Sequence, residues 1–390
     1  MNCLINVAVE KIRFSLVASF MALAMSPTVV MGSSTMFQAN LERTGVYKGI
    51  GPEETPTLAW KFDASAPVIS TPLVDDGMVY FVDFEDGVYA LNQADGTVVW
   101  EKETDGKPSF QIALSKDALL VGVYQPDDFN GHLLALDRFT GEERWRFEMD
   151  YAIRMSTPTV YGDKVLLTSS TDYLIALDLA TGEGEWGVAI EGTGAQPVIS
   201  DDVVYYRDGS QTLYALWLDS GEEIWRMPSP IDYDIAYGTP SVNGCCVFAI
   251  VRNDETALVR KINKKSGELV AEFVHDFSVT SSVSLADGVV FFGDDGSGKA
   301  GSHGHMNALD MEAGELIWRF ETEGFMRGPA SIAGNTVYFG SADTHLYAVD
   351  RHTGDLKWRY KTDGIVNSAP AIVDGRVYFG SLDGHVYVLE

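Results

Sequence analysis

The stretch Ala135–Trp145, "ALDRFTGEERW", decides the fold, because the chain repeats it. The other copies are "ALNQADGTVVW" (Ala90–Trp100), "ALDLATGEGEW" (Ala176–Trp186), "ALWLDSGEEIW" (Ala215–Trp225), "KINKKSGELVA" (Lys261–Ala271), "ALDMEAGELIW" (Ala308–Trp318) and "AVDRHTGDLKW" (Ala348–Trp358). One copy has lost its tryptophan to Ala271. With Trp60 included, neighbouring motif tryptophans stand 39 to 45 residues apart, except for one gap of 93 that holds the degenerate copy. A period in the low forties, divided among four short strands, predicts an all-β propeller.

The last unit shows the anatomy. "APAIVDG" (Ala369–Gly375) reads as an inner strand and turn, "RVYFG" (Arg376–Gly380) as a second strand, "SLDG" (Ser381–Gly384) as a tight hairpin and "HVYVLE" (His385–Glu390) as a third strand. A fourth strand is missing there and present at the other end, since "TLAWKFD" (Thr57–Asp63) matches "DLKWRYK" (Asp355–Lys361). The N-terminal strand is therefore expected to complete the C-terminal blade, giving eight antiparallel blades of four strands and a ring without long free edges.

Within the phrase, the Asp or Thr side chain is expected to bond the turn backbone, and the glycine supplies a positive φ. The tryptophan then falls on the outer strand, and the small alanine is expected to let a neighbouring blade's indole approach. A buried indole covers about 150–250 Å². At about 25 cal/mol per Å² each contributes at most roughly 4–6 kcal/mol. Trp60, Trp100, Trp145, Trp186, Trp225, Trp318 and Trp358 are thus the expected blade-docking residues.

The composition sets limits. A hydrophobic content of 46% in 390 residues excludes wholesale disorder. A formal charge of −28 argues against holding nucleic acid or an anionic bilayer on a basic face. Cys3, Cys245 and Cys246 are too few for a disulfide framework. At the N-terminus, Lys11 and Arg13 precede "FSLVASFMALAM" (Phe14–Met25) and small residues, the pattern of an export signal over residues 1–32. No cysteine follows the apolar run, so a lipid anchor is not expected. Residues 33–55 read as an extended lead-in, and 56–390 as the propeller.

The "A-x-D-x-x-T-G-x-x-x-W" phrase and the "V-Y-F-G-S-x-D-G-x-x-Y-A-L-D" hairpin resemble the pyrroloquinoline-quinone-type (PQQ-like) repeat, over Pro56–Glu390. "MFQANLERTGVY" (Met36–Tyr47) is similar to the lead-in of exported members. Two groups share this repeat: the quinoprotein alcohol dehydrogenases and a non-catalytic outer-membrane assembly lipoprotein group (BamB-like). In the former, the resemblance implies a quinone held between a tryptophan and a ring of two adjacent cysteines, beside calcium. Cys245-Cys246 invites that reading. Aligned with "VDGRVYFGS", however, the pair falls at the start of a second strand, where a vicinal disulfide fits poorly. Seven of the eight tryptophans fill the motif position, and Trp217 stands at a turn, so none is left to floor a quinone. The resemblance therefore favours the non-catalytic group, with no cofactor expected and quinone with calcium as the alternative.

Other signals reduce to the repeat. "GEGEWG" (Gly182–Gly187) spans a turn into a strand, the wrong context for a dinucleotide loop. His132, His305, His345 and His385 occupy equivalent places on separate blades, which argues for inheritance and against a shared metal. "GDDGSGKAGSHGH" (Gly293–His305) lengthens one hairpin; Asp294, Asp295, His303 and His305 are its candidate ligands, against a plain solvated insertion.

Function is expected where loops differ without disturbing sheets. In a propeller these are the connections from outer strand to next inner strand, which share a face with the hairpins between second and third strands. The candidates for a partner surface are Phe110, Tyr151, Arg154, Asp232, Tyr233, Asp234, Tyr237, Met326, Arg327 and Asn367, a mixture common in binding hot spots. An acidic connection entering blade five, here Asp232 and Asp234, is similar to one that contacts the barrel partner in the assembly group. The expectation is an exported, periplasmic or secreted, monomeric scaffold that binds a protein of the cell envelope, without nucleic acid and without membrane insertion once the signal is removed. A quinone-dependent oxidoreductase and a carbohydrate-binding propeller are the alternatives.

Overall fold

A computed structural model describes residues 33–126, 130–149, 157–169, 172–192, 194–230, 238–253, 256–279, 281–296 and 303–390. The export-signal segment lies outside them. Eight antiparallel sheets follow one another along the chain. Blade one, for example, runs Leu73–Asp75, Met78–Val82, Gly87–Asn92 and Val98–Glu103 from inner to outer strand. Blade two differs in having its inner position split between Lys107–Pro108 and Ala113–Leu114, both paired with Ala118–Gln125. Leu58–Asp63 lies against His385–Leu389, with Trp60 opposite Val388, so the first strand completes blade eight.

The repeated phrase does locally what its residue types dictate. Asp137 Oδ1 accepts from the backbone N–H of Phe139 and Thr140 and from Thr140 Oγ1, at 3.0–3.2 Å. The following Gly141 has φ +73°. A bulge interrupts each third-to-outer strand ladder just ahead of the motif tryptophan position, at Leu58/Trp60 in blade eight and at Glu143/Trp145 in blade two.

Six indoles bridge to the next blade and the seventh, Trp358, to the lead-in. Trp60, Trp100, Trp145, Trp186, Trp225, Trp318 and Trp358 donate through Nε1 to the carbonyls of Gln93, Arg138, Leu179, Leu218, Lys264, Arg351 and Pro52, at 2.8–3.1 Å. The surface that lets the indole in is the turn glycine of the next blade, not the motif alanine. A Cβ at Gly182 would come within 2.5 Å of the Trp145 ring, and one at Gly354 within 2.8 Å of Trp318. The alanine instead pairs with the tryptophan inside one sheet, as Ala90 does with Trp100. One residue type thus meets two demands at that turn, left-handed backbone and close approach.

The lead-in is not extended. Positive φ values at Gln38, Ala39, Arg43 and Gly45 coil it around the hub. There it serves inner strands in turn. Val74 exchanges two backbone hydrogen bonds with Ser34, and the amides of Leu114, Ile199, Val242, Leu285 and Ile332 donate to Thr35, Leu41, Glu42, Thr44 and Gly45. Blade three is reached through Arg43, whose Nη2 donates to Thr159 Oγ1 at 2.9 Å and whose Nη1 donates to Phe37 O. Arg43 is fully buried, and desolvation lowers its pKa to about 10. The segment then leaves between blades seven and eight, where Pro52 O accepts from both Tyr338 and Trp358. Edge amides of the inner strands that would otherwise face the channel are thereby paired.

Candidate protein-binding face

The face bearing the outer-to-inner connections is held by a repeated latch. Thr104, Thr322 and Thr362 each close the end of an outer strand, their hydroxyls donating to the hairpin carbonyls of Asp86, Gly304 and Thr344. In blades one, seven and eight a hairpin aspartate accepts from a third-strand tyrosine: Asp83 from Tyr89, Asp343 from Tyr347 and Asp383 from Tyr387, at 2.8–3.0 Å. Asp343 and Asp383 also take the amides of Glu323 and Asp363, tying hairpin to connection. These hydrogen bonds fix the loops that display the surface.

On that scaffold Phe110 stacks flat on Phe84, with ring centroids 5.7 Å apart and planes 5° from parallel. Phe84 is 40% exposed, Lys107 Nζ lies 5.3 Å from its ring, and Lys107 pairs with Glu85 at 2.9 Å. Arg327 is exposed, its guanidinium 4.9 Å from the Phe325 ring. Asn367 is half-buried, with Oδ1 buried and unpartnered among the described residues. Met326 is not on the surface. Its connection dips inward, its Cβ backs onto Gly293, and the side chain is buried between blades six and seven. Tyr151, Arg154, Asp232, Tyr233, Asp234 and Tyr237 lie outside the described residues. Phe84 was not legible as Phe110's partner. The signal for it was an aromatic in the hairpin "VDFEDG" (Val82–Gly87), where blades seven and eight carry "GSADTH" and "GSLDGH".

The blade-five/blade-six junction departs from the other seven. Phe273, two residues beyond Ala271, swings over Gly314 and takes the seat of the missing indole. Phe62, Phe320 and Tyr360, the residues equivalent to Phe273, normally pack on a second-strand phenylalanine of the next blade. That task passes to His275, edge-on to Phe292 at 5.0 Å. The backbone register is unchanged, with Ala271 opposite Lys261 as Trp100 is opposite Ala90. The side-chain roles have therefore slid by one pleat.

His275 Nε2 reaches Asp294 Oδ2 at 2.9 Å, and His305 Nδ1 reaches Asp294 Oδ1 at 2.8 Å. Asn307, standing where Tyr89, Tyr347 and Tyr387 stand elsewhere, donates to Asp294 Oδ2 at 2.8 Å. Burial acts to raise the Asp294 pKa, but hydrogen bonds from His275, Asn307, His305 and Gly296 N hold it below the usual carboxylate range. A depressed carboxylate contributes stability above its unfolded pKa of about 3.9 and loses it as pH falls through the folded value. Asp294→Asn is accordingly expected to cost about 1–3 kcal/mol near neutrality and to flatten the acid limb of stability below about pH 4, read from urea midpoints across pH.

The candidate ligands His303 and His305, and the histidines inherited with the repeat, contact carboxylates. His303 pairs with Glu321 at 2.7 Å, and His132, His345 and His385 each contact the carboxylate of Asp105, Asp343 or Asp383. Among the described residues no group of three or more His, Cys, Asp or Glu side chains is arranged to hold a metal ion.

The cysteine pair requires a correction. Asn243 pairs with Cys246, as Val373 pairs with Arg376, so Cys245 lies in the turn, one residue earlier than the sequence alignment placed it. A turn accommodates the bond that a strand would not, and Cys245–Cys246 is a vicinal disulfide. It sits on the face opposite the outer-to-inner connections, as does Trp217 at the end of its third strand. Among the described residues, the motif indoles are all engaged at blade junctions. Thiol titration of the native protein is expected to detect neither Cys245 nor Cys246 before reduction and both after it.

The family model described as "Outer membrane protein assembly factor BamB" matches residues 53–227, 111–301 and 302–390. The outer membrane protein assembly factor BamB of Moranella endobia (strain PCIT) is 23% identical over 226 residues, 55% of this chain and 57% of that protein. The chain thus spans little more than half the length of that curated relative. Among solved structures, BamB from Moraxella catarrhalis is similar with a TM-score of 0.70 at 19% identity, over 86% of this chain and all of that one. A europium-containing methanol dehydrogenase is similar with a TM-score of 0.74 at 14% identity, over 92% of this chain and 98% of that one. At these identities both structural likenesses speak to the fold alone.

Proposed function

Because the chain belongs to the family described as outer membrane protein assembly factor BamB, we propose that it is an exported, non-catalytic scaffold that binds a protein partner in the cell envelope through its loop face. The observation that carries this reading is the stacked pair of exposed Phe84 on half-buried Phe110, flanked by Lys107 and held on latched loops. Stacked aromatics in rigid surroundings lose little side-chain entropy on binding and supply the anchors that dominate interfaces. The periplasm is the proposed compartment, and the proposed state is a monomer.

The test is retention of envelope proteins from the source organism on the immobilised chain. Proteins of outer-membrane assembly are expected on the unaltered chain and, for a Phe84→Ser/Phe110→Ser double variant, a loss of about tenfold or more, matching two hot-spot truncations of about 1 kcal/mol or more each. Equal retention by both would remove the loop-face assignment. Dye reduction with alcohols or sugars after adding the quinone and calcium would replace the scaffold reading with an oxidoreductase. Selective binding on a glycan array would replace it with carbohydrate recognition.

A further inference from the structure

The junction between blades eight and one opens into a groove of about 580 Å³. One wall is the small residues 64–66, and the other is the hairpin of residues 83–87 with the outer strand of blade one. That hairpin also carries Phe84. Inside the sheet of blade one, Tyr89 stands opposite Glu101. Elsewhere the same register sets a tyrosine opposite a cation: Tyr214 opposite Arg226 in blade four, Tyr347 opposite Arg359 in blade seven and Tyr387 opposite Lys61 in blade eight. Lys61 Nζ lies 5.9 Å from the Tyr387 ring. Blades seven and eight thus combine a hairpin aspartate, a tyrosine bonded to it and a cation. Blade one keeps the aspartate and the tyrosine, Asp83 and Tyr89, but has a carboxylate in the third place. A positive charge is what an aromatic face beside a carboxylate favours, and the repeat itself shows one seated there.

The charges around this seat are unbalanced. Burial, Asp83, Glu101 and Asp86 all push the Tyr89 pKa up. At Tyr214 and Tyr347 burial and a hairpin aspartate act in the same direction, but Arg226 and Arg359 oppose them. Asp83 accepts from the amides of Glu85, Asp86 and Gly87 and from the Tyr89 hydroxyl, so its oxygens are occupied. Glu85 is paired with Lys107 at 2.9 Å. Asp86, Glu101 and Glu103 are exposed and form no ion pair among the described residues. Lys102 is the one lysine or arginine bordering the groove. It stands opposite Val88, and strand alternation places its side chain on the same face as Trp100, which docks on blade two. The charge left over at the groove is therefore negative, and it lies beside an exposed aromatic ring.

We propose that the groove between blades eight and one docks a basic side chain of a partner polypeptide whose neighbouring apolar side chain settles on Phe84. The cation takes the place over Tyr89 that Arg226, Arg359 and Lys61 hold in their own blades, and it meets Glu101, Glu103 and Asp86. This rests on the reading of the chain as a binding scaffold and gives the chemistry of the partner segment at that face.

The probes are three capped pentapeptides, leucine–glycine–arginine–glycine–leucine, leucine–glycine–glutamate–glycine–leucine and alanine–glycine–arginine–glycine–alanine, titrated into the purified chain by NMR. The first is expected to bind at least about tenfold more tightly than either of the others. Glu101→Arg gives blade one the cation that blades four and seven carry, and should weaken binding at least about tenfold while leaving the melting temperature unchanged or higher. Glu103→Gln, a milder change at an exposed position, should weaken it about threefold or more. Glu142→Arg makes the same change of net charge at an exposed turn on the opposite face and should bind like the unaltered chain. The proposal is overturned if the glutamate or the alanine peptide binds as well as the first, if no peptide binds below millimolar, if Glu101→Arg or Glu103→Gln binds like the original, or if Glu142→Arg loses as much as Glu101→Arg. These variants leave Phe84 and Phe110 in place, so failure here strikes the groove alone, whereas failure of the loop-face assignment shows as equal envelope retention by the Phe84→Ser/Phe110→Ser variant.

Discussion

Trp358→Ala is expected to lower the unfolding free energy by about 3–5 kcal/mol, the range for removing a large buried aromatic when the surroundings relax only in part. The indole is almost wholly buried, packs against Tyr338 at 5.8 Å, and donates to Pro52 O at 2.8 Å. Truncation therefore opens a cavity and also removes one of the two hydrogen bonds that Pro52 O accepts, worth about 1 kcal/mol, while Tyr338 keeps the other. The control is Trp217→Ala. That side chain is about half exposed at a turn, and its loss should stay within about 0.5 kcal/mol. Urea unfolding followed by tryptophan fluorescence and by circular dichroism measures both. Equal, small losses would mean that the rim indoles do not join the blades.

Gly45→Val should cost roughly 2–5 kcal/mol, combining about 1–2 for forcing a left-handed backbone onto a side chain with about 1–3 for overpacking. Gly45 has φ +71°, and a Cβ there would meet Ser284 Oγ at 2.7 Å and Ala330 O at 2.8 Å. Gly45 O also accepts from Ile332, so the clash acts where the lead-in pairs with blade seven. Gly49→Ala separates the two causes, since Gly49 has φ +99° but nothing within 4 Å of its Cβ position. A smaller loss at Gly49 than at Gly45, with protease cleavage of the lead-in appearing only for Gly45→Val, would establish that the coil is seated in the hub. A silent Gly45→Val would refute it.

Much of the fold was legible because its determinants are local and repeated. Asp137, Thr140 and Gly141 make their turn within five residues, and seven copies of one phrase set the number and order of blades. The match between Thr57–Asp63 and Asp355–Lys361 even revealed a pairing across the whole chain, because a strand one blade lacks must come from somewhere. The loop face was legible only in part. Arg327 stands exposed and Phe110 half-buried, whereas Met326 is inside, because the direction in which an irregular connection dips is set by the sheet beneath it. Cys245 was misplaced by one residue, since "NGCC" is compatible with two turn registers and only the pairing of Asn243 with Cys246 selects one.

Composition and period by themselves determined an eight-bladed ring, its closure and the seven indoles that join it. Tertiary structure alone decided that the lead-in coils through the hub, that turn glycines seat six of the seven indoles, and that the loss of one tryptophan is answered by Phe273 and His275 moving one pleat along their strand. The reason is physical: hydrogen bonds within a turn depend on neighbours in sequence, whereas the filling of a space between blades depends on every side chain that borders it, and those come from residues as far apart as Val259 and Arg319.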